Sequence, residues 1–237
     1  MMRKKYFSSF EEQGFLFYYV DDSIYITKSQ SLAMLYLDRI IKGIPEYNCW
    51  FNKSKLKINF DSSYVTIEQC LSIDFLGWKI HCDSLEVEPT YEVARYSTTY
   101  TRLSYLSLQK KILSMMALKI KKLVLSNEVN SETRVINNIK IIVLQHAKRC
   151  FSWFNCIWSD GSEFSIKNLR KSNRQLIRKI ERFTDWDKNQ RNRYHNQLQY
   201  IVWTSFIEVF NKKNSMFLDQ IAEFKKLMRY YKKKLNA

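Results

Sequence analysis

The sequence predicts an α+β protein: short antiparallel strands with a helix, followed by an all-helical second part. Three observations carry this. Aromatic and β-branched runs of strand type concentrate in the first 90 residues. From Tyr91 onward apolar residues follow helical spacing. Only four Gly and two Pro occur in 237 residues, which favours long regular elements over loops. The charge divides in the same way. Residues 1–90 hold 10 Lys/Arg against 12 Asp/Glu, whereas 91–237 hold 29 against 11. A near-neutral part (1–90) joined to a strongly basic part (91–237) reads as a chemical site attached to a module that holds a polyanion.

Met1 to Phe10 is short, polar and basic. Phe15 to Thr27 then reads as strand, tight turn, strand, with Asp21 and Asp22 at the tip. No Asn-Gly or Gly-Gly eases the turn. Two adjacent carboxylates on a buried hairpin repel each other and call for a cation, for which an oxygen-liganded Mg²⁺ is the natural candidate. The bland alternative is a solvated Asp-Asp turn. A helix follows, capped by Ser29 or Ser31, with Leu32, Leu35, Tyr36 and Ile40 at helical spacing and Gly43 and Pro45 as its stop. Lys55 to Phe60 alternates as a half-buried strand, which makes Lys55 a strand lysine, and 61–70 reads as a linker. Ile73 to Ile80 is a β-prone run with Gly77 in its middle, and Leu85-Glu86-Val87 is its expected partner across Asp83-Ser84.

Tyr105 to Leu125 reads as a helix with Ile112, Met116, Leu118 or Lys119, and Leu123 on one face. Asn130 or Ser131 caps the next helix, whose inward positions run from Val135 to Phe154. Further helices are expected at roughly 165–184, 190–211 and 216–235. Five cysteines show no metal-finger spacing with the three histidines and read as reduced thiols of an intracellular protein. No apolar run approaches the roughly 20 residues that span a bilayer, so no membrane partner is expected.

With these pieces in order, the sequence resembles the C-terminal part of telomerase reverse transcriptase. Tyr19-Val20-Asp21-Asp22-Ser23-Ile24-Tyr25-Ile26-Thr27 is similar to that family's motif C. Ile44-Pro45-Glu46-Tyr47 with Asn52 and Lys55 resembles motif D. Phe75-Leu76-Gly77-Trp78 followed by Leu85-Glu86-Val87 resembles motif E, the primer grip. Val129-Asn130-Ser131 and Leu144-Gln145-His146-Ala147 resemble the C-terminal extension that forms the thumb.

The resemblance implies an incomplete reverse-transcriptase palm followed by a helical thumb, from a nuclear, telomere-acting RNA-directed DNA polymerase. It implies Asp21 and Asp22 as Mg²⁺ ligands and Lys55 near the leaving pyrophosphate. Leu76, Gly77 and Trp78 become the primer grip. Tyr96, Ser97, Thr98, Tyr100, Arg102, Lys110 and Lys111 become contacts to nucleic acid. The implied partners are a telomerase RNA, a telomeric DNA primer with its RNA–DNA hybrid, deoxynucleotides, and upstream domains of the subunit. Ser23 departs from the family's usual apolar or aromatic residue. The chain also begins just before motif C, so the third metal-binding Asp of the two-metal site is expected from an upstream segment. Two rivals share parts of the pattern: a retroelement reverse transcriptase, and a non-catalytic nucleic-acid-binding module with a vestigial palm.

Overall fold

The hairpin forms where aromatic and β-branched residues are densest. In the computed structural model, strand β1 (Phe15–Tyr19) pairs antiparallel with β2 (Asp22–Ile26), in register from Phe15 opposite Ile26 to Tyr19 opposite Asp22. The structure describes residues 5–62, 64, 67–90, 110, 113, 114, 116, 120–157, 166–212 and 217–236. The chain divides into two compact units, Met1–Ser84 and Leu85–Ala237.

In the first unit, helix α1 (Ser8–Gln13) precedes the hairpin and α2 (Gln30–Lys42) follows it. The Ser29 side chain accepts from the Leu32 amide and caps α2, which settles the choice between Ser29 and Ser31. Gly43 ends α2 at φ 67°, and a Cβ there would meet Trp50 Cε3 at 2.8 Å, so both the conformation and the space demand glycine. Phe7, Phe10, Leu16, Ile40 and Ile44 form the core, with Tyr18, Tyr25 and Tyr36 packed against it.

Only one face of the hairpin is buried. Leu16 is inside, whereas Phe15 and Tyr19 are 62% and 58% exposed, so the expected buried hairpin is half exposed. Side chains alternate across a strand, so the face that carries Leu16 is buried and the face that carries Phe15 and Tyr19 is exposed. On α2, Leu37 takes the inward position and Leu35 faces solvent, a shift of the apolar stripe from the expected one.

The strand expected at 55–60 shrinks to β3 (Lys57–Ile58). It pairs in parallel with β4 (Glu68–Gln69), inside the stretch expected to be a linker. Buried Ile58 and Ile67, packed with Leu37, hold that pairing in place. Gly77 is not in mid-strand. β5 (Ser72–Phe75) and β6 (Trp78–His81) form a hairpin around Leu76 and Gly77, at φ 50° and 83°. Positive φ at both central residues is the primed turn that matches strand twist, and Gly77 makes it accessible.

The second unit opens with β7 (Val87–Pro89) and α3 (Lys122–Leu125). Asparagine side chains hold both elements. Asn130 Oδ1 accepts from the Val87 amide at 2.7 Å, and the Asn138 amide donates to Val87 O and Val124 O, each at 2.8 Å. Arg134 adds ion pairs to Glu86 and Glu88. The helix expected through Leu125 does not run unbroken. Lys121 is extended at φ −126° and ψ 149°, and α3 starts afresh after it. The break turns Val124 and Leu125 inward and leaves Leu123 45% exposed.

Helix α4 (Glu132–Ile157) is capped by Ser131, whose hydroxyl accepts from the Arg134 amide, because Asn130 is engaged elsewhere. Helices α5 (Ile166–Phe183), α6 (Lys188–Phe210) and α7 (Leu218–Leu235) complete the unit. Asp187 and Gln190 form a reciprocal capping box at the start of α6. The core where α4, α6 and α7 meet is aromatic, with Phe206 and Phe210 stacked at 5.8 Å and Phe224 against both. Among the described residues no helix is long and apolar enough to cross a membrane.

Buried against this core, His146 lies with Nε2 3.1 Å from Asn173 Oδ1 and 3.7 Å from the Cys150 thiol. Burial lowers its pKa to about 4, against an ordinary 6.5, and pushes the Cys150 thiol up. A depressed folded-state pKa means that protons favour the unfolded chain. The unit therefore keeps this stability above pH 6.5 and loses it as pH falls toward 4, by roughly 3 kcal/mol. Chemical denaturation across that range should show the loss, and His146→Gln should flatten it. Identical pH dependence in both proteins contradicts the assignment.

Candidate functional site

The hairpin tip is a two-residue turn, Val20-Asp21, closed by the pair Tyr19 and Asp22. Val20 sits at φ 56° and is 90% exposed, so nothing it packs against explains its conformation. A β-branched residue disfavours positive φ, and the cross-strand pairs of the hairpin hold it there. The result is two adjacent, exposed carboxylates, and no ion pair falls on either among the described residues.

Ser23 stands behind the tip. Its Oγ lies 3.0 Å from Tyr36 Oη, joining β2 to α2. Tyr36 is largely buried, and this burial raises its pKa; its ring packs 4.8 Å from that of Tyr25. The residue where the motif departs from its usual pattern thus fastens the tip to the helix.

The tip opens onto a cleft of about 430 Å³. Asp21, Asp22, Lys55 and Leu76, four of the residues that the sequence singles out, line it together, with Tyr36 and Phe51 among the other walls. Lys55 is not a strand residue. It closes a 3-10 turn (Lys53–Lys55) capped by Asn52, whose Oδ1 accepts from the Ser54 amide at 3.0 Å and from its hydroxyl at 2.8 Å. That cap competes with strand pairing and delays the strand until Lys57.

Gly77 and Trp78 do not line the cleft; they form the turn and first strand residue behind Leu76. Phe17 meets Phe75 edge-on at 6.0 Å and so ties the acidic hairpin to this second hairpin. Sequence reading missed Asp74, which lines the cleft and sits 3.8 Å from Lys57. Its alternation with Ile73 and Phe75 was the available signal. Lys110 is helical and exposed, whereas Tyr96, Ser97, Thr98, Tyr100, Arg102 and Lys111 lie outside the described residues.

The chemistry of the pair suits a hard divalent ion: two adjacent carboxylates, without an ion pair among the described residues, at the mouth of a cleft that also carries a lysine. Among the described residues no three Asp, Glu, His or Cys side chains gather to hold a metal.

No family model matches the chain. Telomerase reverse transcriptase of Mus musculus is 30% identical over 161 residues, covering 61% of this chain and 14% of that protein. Telomerase reverse transcriptase of Oryza sativa subsp. japonica is 23% identical over 240 residues, covering 89% of this chain and 19% of that protein. The chain thus spans less than a fifth of either relative's length. Among solved structures, telomerase from Candida albicans in complex with a TWJ fragment of telomeric RNA matches with a TM-score of 0.61 and 17% identity. That match covers 90% of this chain and 30% of the other.

The strain at Val20 is measurable. Val20→Gly removes an exposed side chain and a conformation that costs about 1–2 kcal/mol, against roughly 0.5–1 kcal/mol of glycine entropy. Hydrogen exchange of the hairpin amides should therefore slow modestly, by up to about fivefold. Faster exchange in the variant would mean that Val20 is not strained.

Proposed function

We infer from its similarity to the C-terminal part of telomerase reverse transcriptase that the chain shares that family's architecture. From that likeness and the acidic cleft we propose that it forms part of the palm, and the thumb, of a telomerase catalytic subunit. In this reading it serves RNA-templated DNA synthesis at chromosome ends in the nucleus. The observation that carries the proposal is the gathering of Asp21, Asp22 and Lys55 on one cleft by two separate elements, the hairpin and the Lys53–Lys55 turn.

Asp21 and Asp22 would hold Mg²⁺, which when bound neutralises charge on the reacting phosphoryl oxygens. Fixing the backbone through the paired strands presents both carboxylates without reorganisation. Lys55 carries its ammonium on the same cleft, where it can meet charge that develops on a leaving pyrophosphate or donate a proton. Leu76, at the tip of the second hairpin, reaches the cleft and would support the primer strand, with Gly77 and Trp78 shaping that turn. The half-exposed aromatic face of the acidic hairpin suits the edge of a larger sheet, continued by upstream parts of the subunit that supply the third carboxylate. The basic balance of residues 91–237 suits a thumb that holds an RNA–DNA hybrid by its phosphates. The RNA partner is proposed from the likeness to the Candida albicans telomerase.

The test is primer extension by this chain assembled with a polypeptide that carries the remaining catalytic motifs. Asp21→Asn and Asp22→Asn should each lower Mg²⁺-dependent extension by at least about a thousandfold with circular dichroism unchanged. Retained extension would overturn the reading. Lys55→Ala should lower the single-turnover rate by about 10²-fold while nucleotide Kd stays nearly constant. A raised Kd with an unchanged rate would assign Lys55 to ground-state binding.

A further inference from the structure

Helix α5 has two unlike faces. Leu169, Ser172, Asn173, Leu176, Ile177 and Ile180 are buried in the helical unit. On the opposite side Lys167, Lys171, Arg174, Arg178 and Arg182 are exposed, at intervals of four, three, four and four residues. Those intervals keep the five cations on one side of the helix, over about 22 Å at 1.5 Å per residue. The acidic neighbours have other partners: Glu181 Oε1 lies 3.0 Å from His195 Nδ1, and Glu223 pairs with Arg170 at 3.3 Å and with Lys226. Among the described residues no ion pair falls on the five stripe cations.

We propose that this face of α5 is a docking surface for duplex nucleic acid, held through its phosphates. The inference deepens the polyanion-holding role proposed for the helical part and is independent of the catalytic reading of the cleft. A row of cations on a helix, without ion-pair partners among the described residues, complements the evenly spaced charge of a duplex backbone. Single strands fit less well, because no aromatic stands at an exposed position of α5 on which an unpaired base could stack. A membrane surface fits less well still. A helix that lies in a bilayer interface inserts its apolar side, and that side of α5 is already in the core.

The test uses the full chain without divalent ion or deoxynucleotide, so failure of the catalytic reading leaves it untouched. Binding of labelled duplex DNA is titrated across salt concentrations for three proteins: the wild type, Lys171→Gln/Arg174→Gln/Arg178→Gln, and Lys232→Gln/Lys233→Gln/Lys234→Gln on α7. Both variants lose the same charge. The α5 variant should bind at least tenfold more weakly, with a salt slope shallower by roughly 2–3, at about 0.9 per lost phosphate contact. The α7 variant should stay within about twofold of wild type. Arg174→Lys/Arg178→Lys, which keeps the charge, should retain binding and guards against a folding artefact. Equal losses in both triple variants would reduce the effect to net charge and overturn the proposal. So would unchanged binding in the α5 variant, or binding to phosphatidylserine vesicles in place of duplex.

Discussion

Two carboxylates stand side by side at the mouth of the cleft because strand pairing holds a β-branched residue where an isolated chain would not put it. The five pairs from Phe15–Ile26 to Tyr19–Asp22 fix the turn, and Val20 at φ 56° absorbs the strain. Remove the register and the acidic pair has no fixed direction. The Ser23–Tyr36 contact then carries that direction into α2, whose own position rests on Leu37 and Ile40 in the core. Packing energy stored in aromatic and aliphatic burial is thereby spent on holding like charges together. A soluble Asp-Asp turn without such backing would relax them apart.

The second unit solves a different problem. β7 and α3 are short segments with backbone groups to satisfy, and two asparagines meet that need. Asn130 and Asn138 supply amide partners to Val87 and Val124 inside the structure, so these short segments are satisfied beside a core of α4, α6 and α7 that is largely aromatic. Buried His146 stays neutral for the same reason: a charged imidazole beside Phe206 and Cys150 has too little compensation. Arg149 is a buried exception, and most of the described basic residues of this unit lie on outer faces, which suits a polyanion-holding surface.

Much of this was legible in the sequence. The acidic tip, the Ser29-to-Gly43 helix and the inward stripe of α4 follow from local rules that tertiary structure did not override. What was missed depends on non-local partners or on side chains that compete for backbone bonds. Gly77 looked like a mid-strand residue because Ile73 to Ile80 is apolar on both sides of it; only the positive φ of Leu76 as well reveals the hairpin. Lys55 looked like a strand residue because the alternation begins there, yet Asn52 captures the backbone first. The parallel pairing of β3 with β4 left almost no signal in Glu68-Gln69, since buried Ile67 beside them does the anchoring. The bend at Lys121 likewise follows from which of Leu123, Val124 and Leu125 the core accepts.

The central claim is that the hairpin tip and the Lys55 turn present one cleft prepared for a divalent ion and a phosphate chain. Paramagnetic line broadening by Mn²⁺, read on the backbone amides of this chain, tests it most directly. The account predicts that Asp21, Asp22 and Ser23 broaden first at low Mn²⁺ and that Asp21→Asn/Asp22→Asn removes the effect there. It further predicts that pyrophosphate added with Mn²⁺ extends broadening to Ser54 and Lys55. Broadening that begins elsewhere, or that persists at the tip in the double variant, would contradict it.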